Sequence, residues 1–175
     1  MRAPAGMTID RVREEDLPDL LPLMAAYLAF YETSAEPAVL EELCRALLAD
    51  PRREGVQLLA RGPGGRPAGF ATVYWSWSTT RAARIGTMND LFVAPEARGS
   101  GAAEALIDAC RQACRAHGAR VLEWMTAKDN LGGQGIGWND MPVAGGVFFL
   151  CSPWSNFVHG QVLNITGGQF TGMML

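Results

Sequence analysis

Asn89-Asp90-Leu91-Phe92-Val93-Ala94-Pro95-Glu96-Ala97-Arg98-Gly99-Ser100-Gly101-Ala102-Ala103 runs an apolar strand into a glycine-rich turn that opens a helix. Unpaired N–H groups at a helix start, together with the positive end of its dipole, attract a pyrophosphate, and glycines let the backbone approach the phosphate oxygens closely. Beyond the backbone, only Arg98 offers such a cradle a positive charge. A Gly-x-Gly alone is often an ordinary strand-to-helix turn, so its neighbours decide what it is.

Those neighbours read as an α/β fold. Met88 to Val93 is a strand, Ser100 to His117 a helix ended by Gly118 at the C′ position, and Val121 to Thr126 a further strand. Strand, helix and strand at this spacing imply a parallel pairing. Upstream, Gln57 to Arg61 and Ala68 to Ser76 flank Gly62-Pro63-Gly64-Gly65-Arg66-Pro67, a loop that asks for positive φ, and together they predict a hairpin. Thr8 to Val12 alternates in polarity like an edge strand. Asp16 stands where a helix N-cap belongs, ahead of a helix from Leu17 to Tyr31 that buries Leu20, Leu21, Met24, Leu28 and Tyr31 and is bent by Pro22. Pro37 to Ala49 repeats the amphipathic pattern through Leu40, Leu43, Cys44 and Leu47. The expected fold is a mixed β-sheet flanked by helices, with an atypical C-terminal segment.

Composition narrows the function classes. The chain has 175 residues, 15 basic and 18 acidic side chains and a net charge of -3. Without a basic stripe to neutralise a row of phosphates, nucleic acid is not expected as a partner. The longest apolar run, Val143 to Cys151, is far short of the roughly 20 residues that cross a bilayer, so no membrane span is expected. Cys44, Cys110, Cys114 and Cys151 follow no secretory pattern, which points to reduced thiols and a cytoplasmic protein. Cys110 and Cys114 share one helix side, but with only His117 nearby they read as small core residues, and no metal site is expected.

The motif Leu91-Phe92-Val93-Ala94-Pro95-Glu96-Ala97-Arg98-Gly99-x-Gly101 resembles the acyl-CoA signature of the GNAT N-acetyltransferase superfamily, and Trp124-x-Thr126-Ala127-x-Asp129-Asn130 is similar to its next strand. Tyr27-Leu28-Ala29-Phe30-Tyr31 also resembles the family's N-terminal half. The resemblance implies a core over residues 1–130 that moves an acetyl group from acetyl-CoA to an amine, either a small molecule or a peptide. It implies that the backbone of Leu91, Phe92 and Val93 meets the pantetheine arm. The amides of Arg98, Gly99, Ser100, Gly101, Ala102 and Ala103 would hold the pyrophosphate, with Asn130 near the cofactor's far end. Tyr31 and Trp75 are expected to border the acceptor amine, and a homodimer is left open.

Catalysis needs a neutral amine, yet with a pKa near 10 only about one amine in a thousand is deprotonated at pH 7. Many family members carry a Glu on the strand before the signature. The matching residue here is Asn89, whose amide cannot accept a proton, so Asn89 is expected to orient a water, with Glu32 or Asp90 as the remote acceptor. Strand alternation predicts that Asp90 faces away from Asn89. The Tyr that reprotonates the leaving thiolate in relatives is replaced by Ile136, and no Tyr follows Tyr74. These departures leave a catalytically weak acyl-CoA binder as the alternative.

From residue 131 onward the character changes. Gly132, Gly133, Gly135 and Gly137 crowd one stretch, and the remainder carries Asp140 but no Lys or Arg. Pro142 to Pro153 and Phe157 to Gly168 resemble the C-terminal end of short-chain dehydrogenases, although the Tyr-x-x-x-Lys and the dinucleotide turn of that family are missing. The expectation for residues 131–175 is an added segment forming a helix and then a hairpin about Gly167-Gly168, packed on the core or partly mobile.

Overall fold

The computed structural model describes residues 6–124 and the strand residues 165–166 and 169–170. The chain divides into two compact units, Met1–Leu122 and Glu123–Leu175. In chain order the elements are β1 (Thr8–Arg11), α1 (Leu17–Phe30), α2 (Pro37–Ala49), β2 (Gly55–Arg61), β3 (Pro67–Ser78), β4 (Ala83–Val93), α3 (Ala102–His117), β5 (Val121–Glu123), β6 (Ile165–Thr166) and β7 (Gln169–Phe170). One sheet has the order β1-β2-β3-β4-β5, with β1/β2, β2/β3 and β3/β4 antiparallel. The amide of Arg120, just before β5, donates to the carbonyl of Arg84 at the first end of β4, so both strands start at the same end as a helical crossover requires.

Residues alternate across β3 to serve two layers. Phe70 joins Leu20, Leu23, Met24, Cys44, Leu59 and Phe92 in the core beneath α1 and α2. Val73 and Trp75 point the other way, toward α3. That side explains why β4 begins at Ala83 rather than at Met88. A Cβ on Gly86 would lie 2.5 Å from Cys114 Sγ of α3, so the glycine is what lets the helix approach the strand. Gly86→Ala is therefore expected to cost about 1–3 kcal/mol through overpacking, seen as a lowered thermal midpoint with an unchanged ligand profile.

Several boundaries differ from the sequence expectation for local reasons. Asp16 precedes α1 but makes no capping bond to it. Its carboxylate accepts from the Arg13 amide at 2.8 Å and pairs with Arg61 at 2.8 Å, tying the start of α1 to β2. The helix α3 starts at Ala102 rather than Ser100 because Gly101 holds φ 83, a left-handed conformation that no helical residue adopts. Gly118, also left-handed at φ 84, closes it as expected. β5 ends at Glu123, short of the expected Thr126.

In the second unit, Ile165–Thr166 pairs antiparallel with Gln169–Phe170. Asn130, the helix expected from Pro142 and the likeness to short-chain dehydrogenases lie outside the described residues. Among the described residues no helix is long and apolar enough to cross a membrane.

Candidate active site

The turn ahead of α3 is built as a cradle. Ala94 donates to the carbonyl of Ala68, and Ala97 and Arg98 donate back to Ala94 and Pro95 in a single tight turn that ends the apolar run of β4. Gly99 (φ 74) and Gly101 (φ 83) then reverse the chain into the helix. A Cβ on Gly99 would meet no atom within 4 Å, so its glycine is set by conformation, and the space above it is open. No side chain caps α3, which leaves the amides of Gly101, Ala102, Ala103 and Glu104 without intrahelical acceptors at the positive end of the helix dipole. Ser100 directs its amide and hydroxyl to the carbonyl of Ala97, at 3.3 and 2.6 Å, and so stiffens the turn. Arg98 is exposed beside it.

Leu91, Phe92 and Val93 lie just upstream, where β4 pairs with Ala71, Phe70 and Gly69 of β3. The other edge of β4 meets β5, and among the described residues β5 ends after three residues while β4 runs on to Val93. Phe92 is buried in the core, so its side chain anchors the strand, and only backbone from this stretch is offered to a ligand.

The structure corrects the reading of Asn89 and Asp90. Thr72 pairs with Asp90 while Val73 pairs with Met88, so Asn89 has no partner on β3 and forms a β-bulge. The extra residue breaks the strict alternation. Asn89 is exposed, and its Nδ2 donates to Asp90 Oδ1 at 2.9 Å instead of pointing away from it. Asp90 is turned toward the α1 face, among Thr72, Tyr74 and Tyr27. Burial pushes the Asp90 carboxyl above the usual carboxylate range, and the nearby polar groups of Thr72, Asn89 and Tyr27 offset part of that rise. Thr72 and Tyr27 act over a longer reach than Asn89, the one side chain within ordinary hydrogen-bond length. Burial, with the Asp90 charge behind it, holds the Tyr27 hydroxyl well above its usual value and pushes Tyr74 up to about 12. Both phenols are therefore neutral donors at physiological pH.

Tyr27 connects this carboxyl to the surface. Its ring stands edge-on to Tyr31 at 5.1 Å and to Phe70 and Phe92 at 5.8 and 6.0 Å. Tyr31 in turn meets Phe30 at 5.2 Å, and both are exposed. The structure thus brings Asn89 and Tyr31 into the surroundings of Asp90. It does not bring Trp75 there. The Trp75 indole is buried on the α3 face, donates to the Pro51 carbonyl at 2.9 Å and stacks on His117 at 4.0 Å, an arrangement that holds together the C-terminal end of α3 and the loop before β2. Glu32 is exposed on left-handed backbone (φ 54) just past α1, and no described contact links it to Asp90. Cys110 and Cys114 are buried core thiols, raised by burial to about 12 and about 11, and are inert at neutral pH.

A carboxyl beside a strand bulge and, past the end of the same strand, an uncapped helix N-terminus opened by glycines make up the candidate site on this α/β sheet. A sequence profile of the Acetyltransferase (GNAT) family matches residues 20–135, and the chain belongs to that family. It is 32% identical over 124 residues to the uncharacterized N-acetyltransferase YhfO of Bacillus subtilis (strain 168), covering 71% of this chain and 81% of that protein. Among solved structures, a probable acetyltransferase superposes with a TM-score of 0.66 at 30% identity, covering 74% of this chain and 85% of its own. An aminoglycoside acetyltransferase solved with sisomicin shares the fold, with a TM-score of 0.60 at 20% identity over 73% of this chain and 82% of its own. The protein is an N-acetyltransferase.

Proposed function

We propose that the enzyme transfers the acetyl group of acetyl-CoA to a primary amine, small molecule or peptide, with Asp90 as the proton acceptor. The bulge at Asn89 carries this reading, because it sets the partly buried Asp90 carboxyl on the α1 side beside Tyr27, whose ring leads on to the exposed Tyr31 and Phe30. The fit to acetyl-CoA rests on the cradle. Four uncapped amides and the open space over Gly99 suit a pyrophosphate, and exposed Arg98 adds a positive charge. Backbone from Leu91 to Val93 suits the amide-bearing pantetheine arm. Acetyl-CoA supplies the activated acyl group, and the chain's own residues bind, orient and move the proton.

The acceptor amine enters past the exposed rings of Phe30 and Tyr31, whose faces favour a cation. Its ammonium gives up a proton to the Asp90 carboxylate, the free amine attacks the thioester carbonyl, and as the C–N bond forms and the C–S bond breaks the departing thiolate takes up the nitrogen's second proton. Asn89 holds one carboxylate oxygen and leaves the other to receive the proton. Free buried thiols at Cys44, Cys110 and Cys114 support a reducing, cytoplasmic setting. Release of free thiol from acetyl-CoA over a panel of primary amines tests the proposal. Amine-dependent release that follows saturation kinetics is the expected result, and release that ignores the amine would overturn it.

A further inference from the structure

Behind Asp90 lies a row of polar residues that acetyl transfer as described above does not use. Gln57 of β2 is directly opposite Thr72 of β3, and Thr72 is directly opposite Asp90 of β4, so the three side chains line up across the sheet on its α1/α2 face. Gln57 and Thr72 are 4% and 0% exposed. Gln57 Oε1 and Thr72 Oγ1 have no hydrogen-bond partner, although a buried polar group left unpaired costs stability and in folded proteins nearly always finds a partner. Gln57 Nε2 reaches only Met24 Sδ at 3.8 Å, and Cys44 Sγ only the same sulfur at 3.6 Å.

The shared register lets a small inward shift of these side chains close the row. The two ends of a side-chain amide have the same shape, and a hydroxyl proton rotates freely. With the Gln57 amide turned by half a turn and the side chains drawn closer than they now stand, Nε2 can donate to Thr72 Oγ1 and Oε1 can accept from the Cys44 thiol. Thr72, accepting from Gln57, can then donate its own proton to the Asp90 carboxylate. The bonds then run in one direction toward the negative charge, an arrangement in which each bond strengthens the next.

We propose that Gln57 and Thr72 form a hydrogen-bond relay that stabilises the charged form of Asp90 from behind, making both of them positioning residues for proton removal. The relay rests on the assignment of Asp90 as proton acceptor for its role in the reaction, but not for its existence. The other ionisable groups that face Asp90 are Tyr27 and Tyr31 from α1, Cys44 from α2 and Tyr74 from β3. Burial raises the proton affinity of Tyr27, Tyr74 and Cys44, so these three stay uncharged across the working range, and Glu41 acts on Cys44 from outside. Asp90 is the carboxylate of this cluster, and burial holds its proton affinity above the usual carboxylate range.

The test pairs kinetics with a direct titration. Thr72→Val keeps the shape and removes the hydroxyl, Thr72→Ser restores it, and Gln57→Leu removes the first donor. In Thr72→Val the acid limb of kcat/KM moves to higher pH by about half a unit or more, because the charged carboxylate has lost a donor. Thr72→Ser returns the limb to its original place, and Gln57→Leu gives a smaller shift of the same sign. A uniform drop in rate with the limb unmoved would overturn the relay. Carbon NMR titration of the Asp90 carboxyl in the same variants reads the effect without turnover. A shifted midpoint in Thr72→Val supports the relay even if Asp90→Asn leaves acetyl transfer intact, and an unshifted midpoint in a folded Thr72→Val sinks it.

Discussion

Gly101→Glu weakens acetyl-CoA binding by about a hundredfold or more, while the melting temperature falls only modestly. Two effects act together. Gly101 sits at φ 83, where any side chain is strained, so the substitution distorts the turn that aims the first amides of α3. The new carboxylate also stands at the helix N-terminus, where it takes up the dipole and the unpaired N–H groups that a pyrophosphate would use, and repels the phosphates from a partly desolvated site. Because Glu is an acceptor at a helix start, it partly compensates its own backbone strain, and stability suffers less than binding. Calorimetric titration with acetyl-CoA beside a thermal melt separates the two. Full affinity in the variant would remove the turn from the binding site, and Gly101→Ala, which adds strain without charge, is expected to fall between.

The fold was legible where local chemistry decides it. Pro37 to Ala49 is a helix with the boundaries its stripe and its N1 proline define, and Gly118 and the Gly62–Pro67 loop fall where left-handed glycines are needed. The cradle was legible for the same reason, because a helix N-terminus opened by two glycines is a property of a few consecutive residues. Longer-range packing was not. The strand expected from Met88 begins at Ala83 and passes through Gly86, a contact point that only the position of α3 reveals. Trp75 looked like a pocket residue, but its partners, His117 and Pro51, are remote in sequence and bury it on the other face. The assignment of Asn89 and Asp90 to opposite faces failed because period two holds only in an unbroken ladder, and a bulge is a matter of register between two strands, which neither strand's sequence records.

That bulge makes Asp90→Asn the sharpest test of the chemistry. The substitution is isosteric and keeps an acceptor oxygen for Asn89 Nδ2, so packing and the bond at 2.9 Å survive. The proton acceptor is what it removes, and loss of a positioned general base typically costs 10²–10⁴-fold. Turnover with a basic amine at pH 7 is expected to fall by about a hundredfold or more while affinity for acetyl-CoA stays within about twofold, since the cradle lies beyond the end of β4. The pH profile sharpens the point. With Asp90 present, kcat/KM climbs as its raised carboxyl deprotonates and again as free amine accumulates, so two groups shape the acid side. In Asp90→Asn the first of these disappears, and the rate follows the amine alone, rising tenfold per pH unit until the amine's own pKa. Folding stability shifts as well, with a definite sign. The folded-state pKa of Asp90 lies above its unfolded value, so the charged carboxylate is disfavoured in the fold, and above the folded pKa the wild type carries a penalty that the neutral amide lacks. The variant is therefore expected to match or exceed wild-type stability at pH 8. A variant that is both less stable at pH 8 and fully active would assign Asp90 to the framework rather than to the reaction.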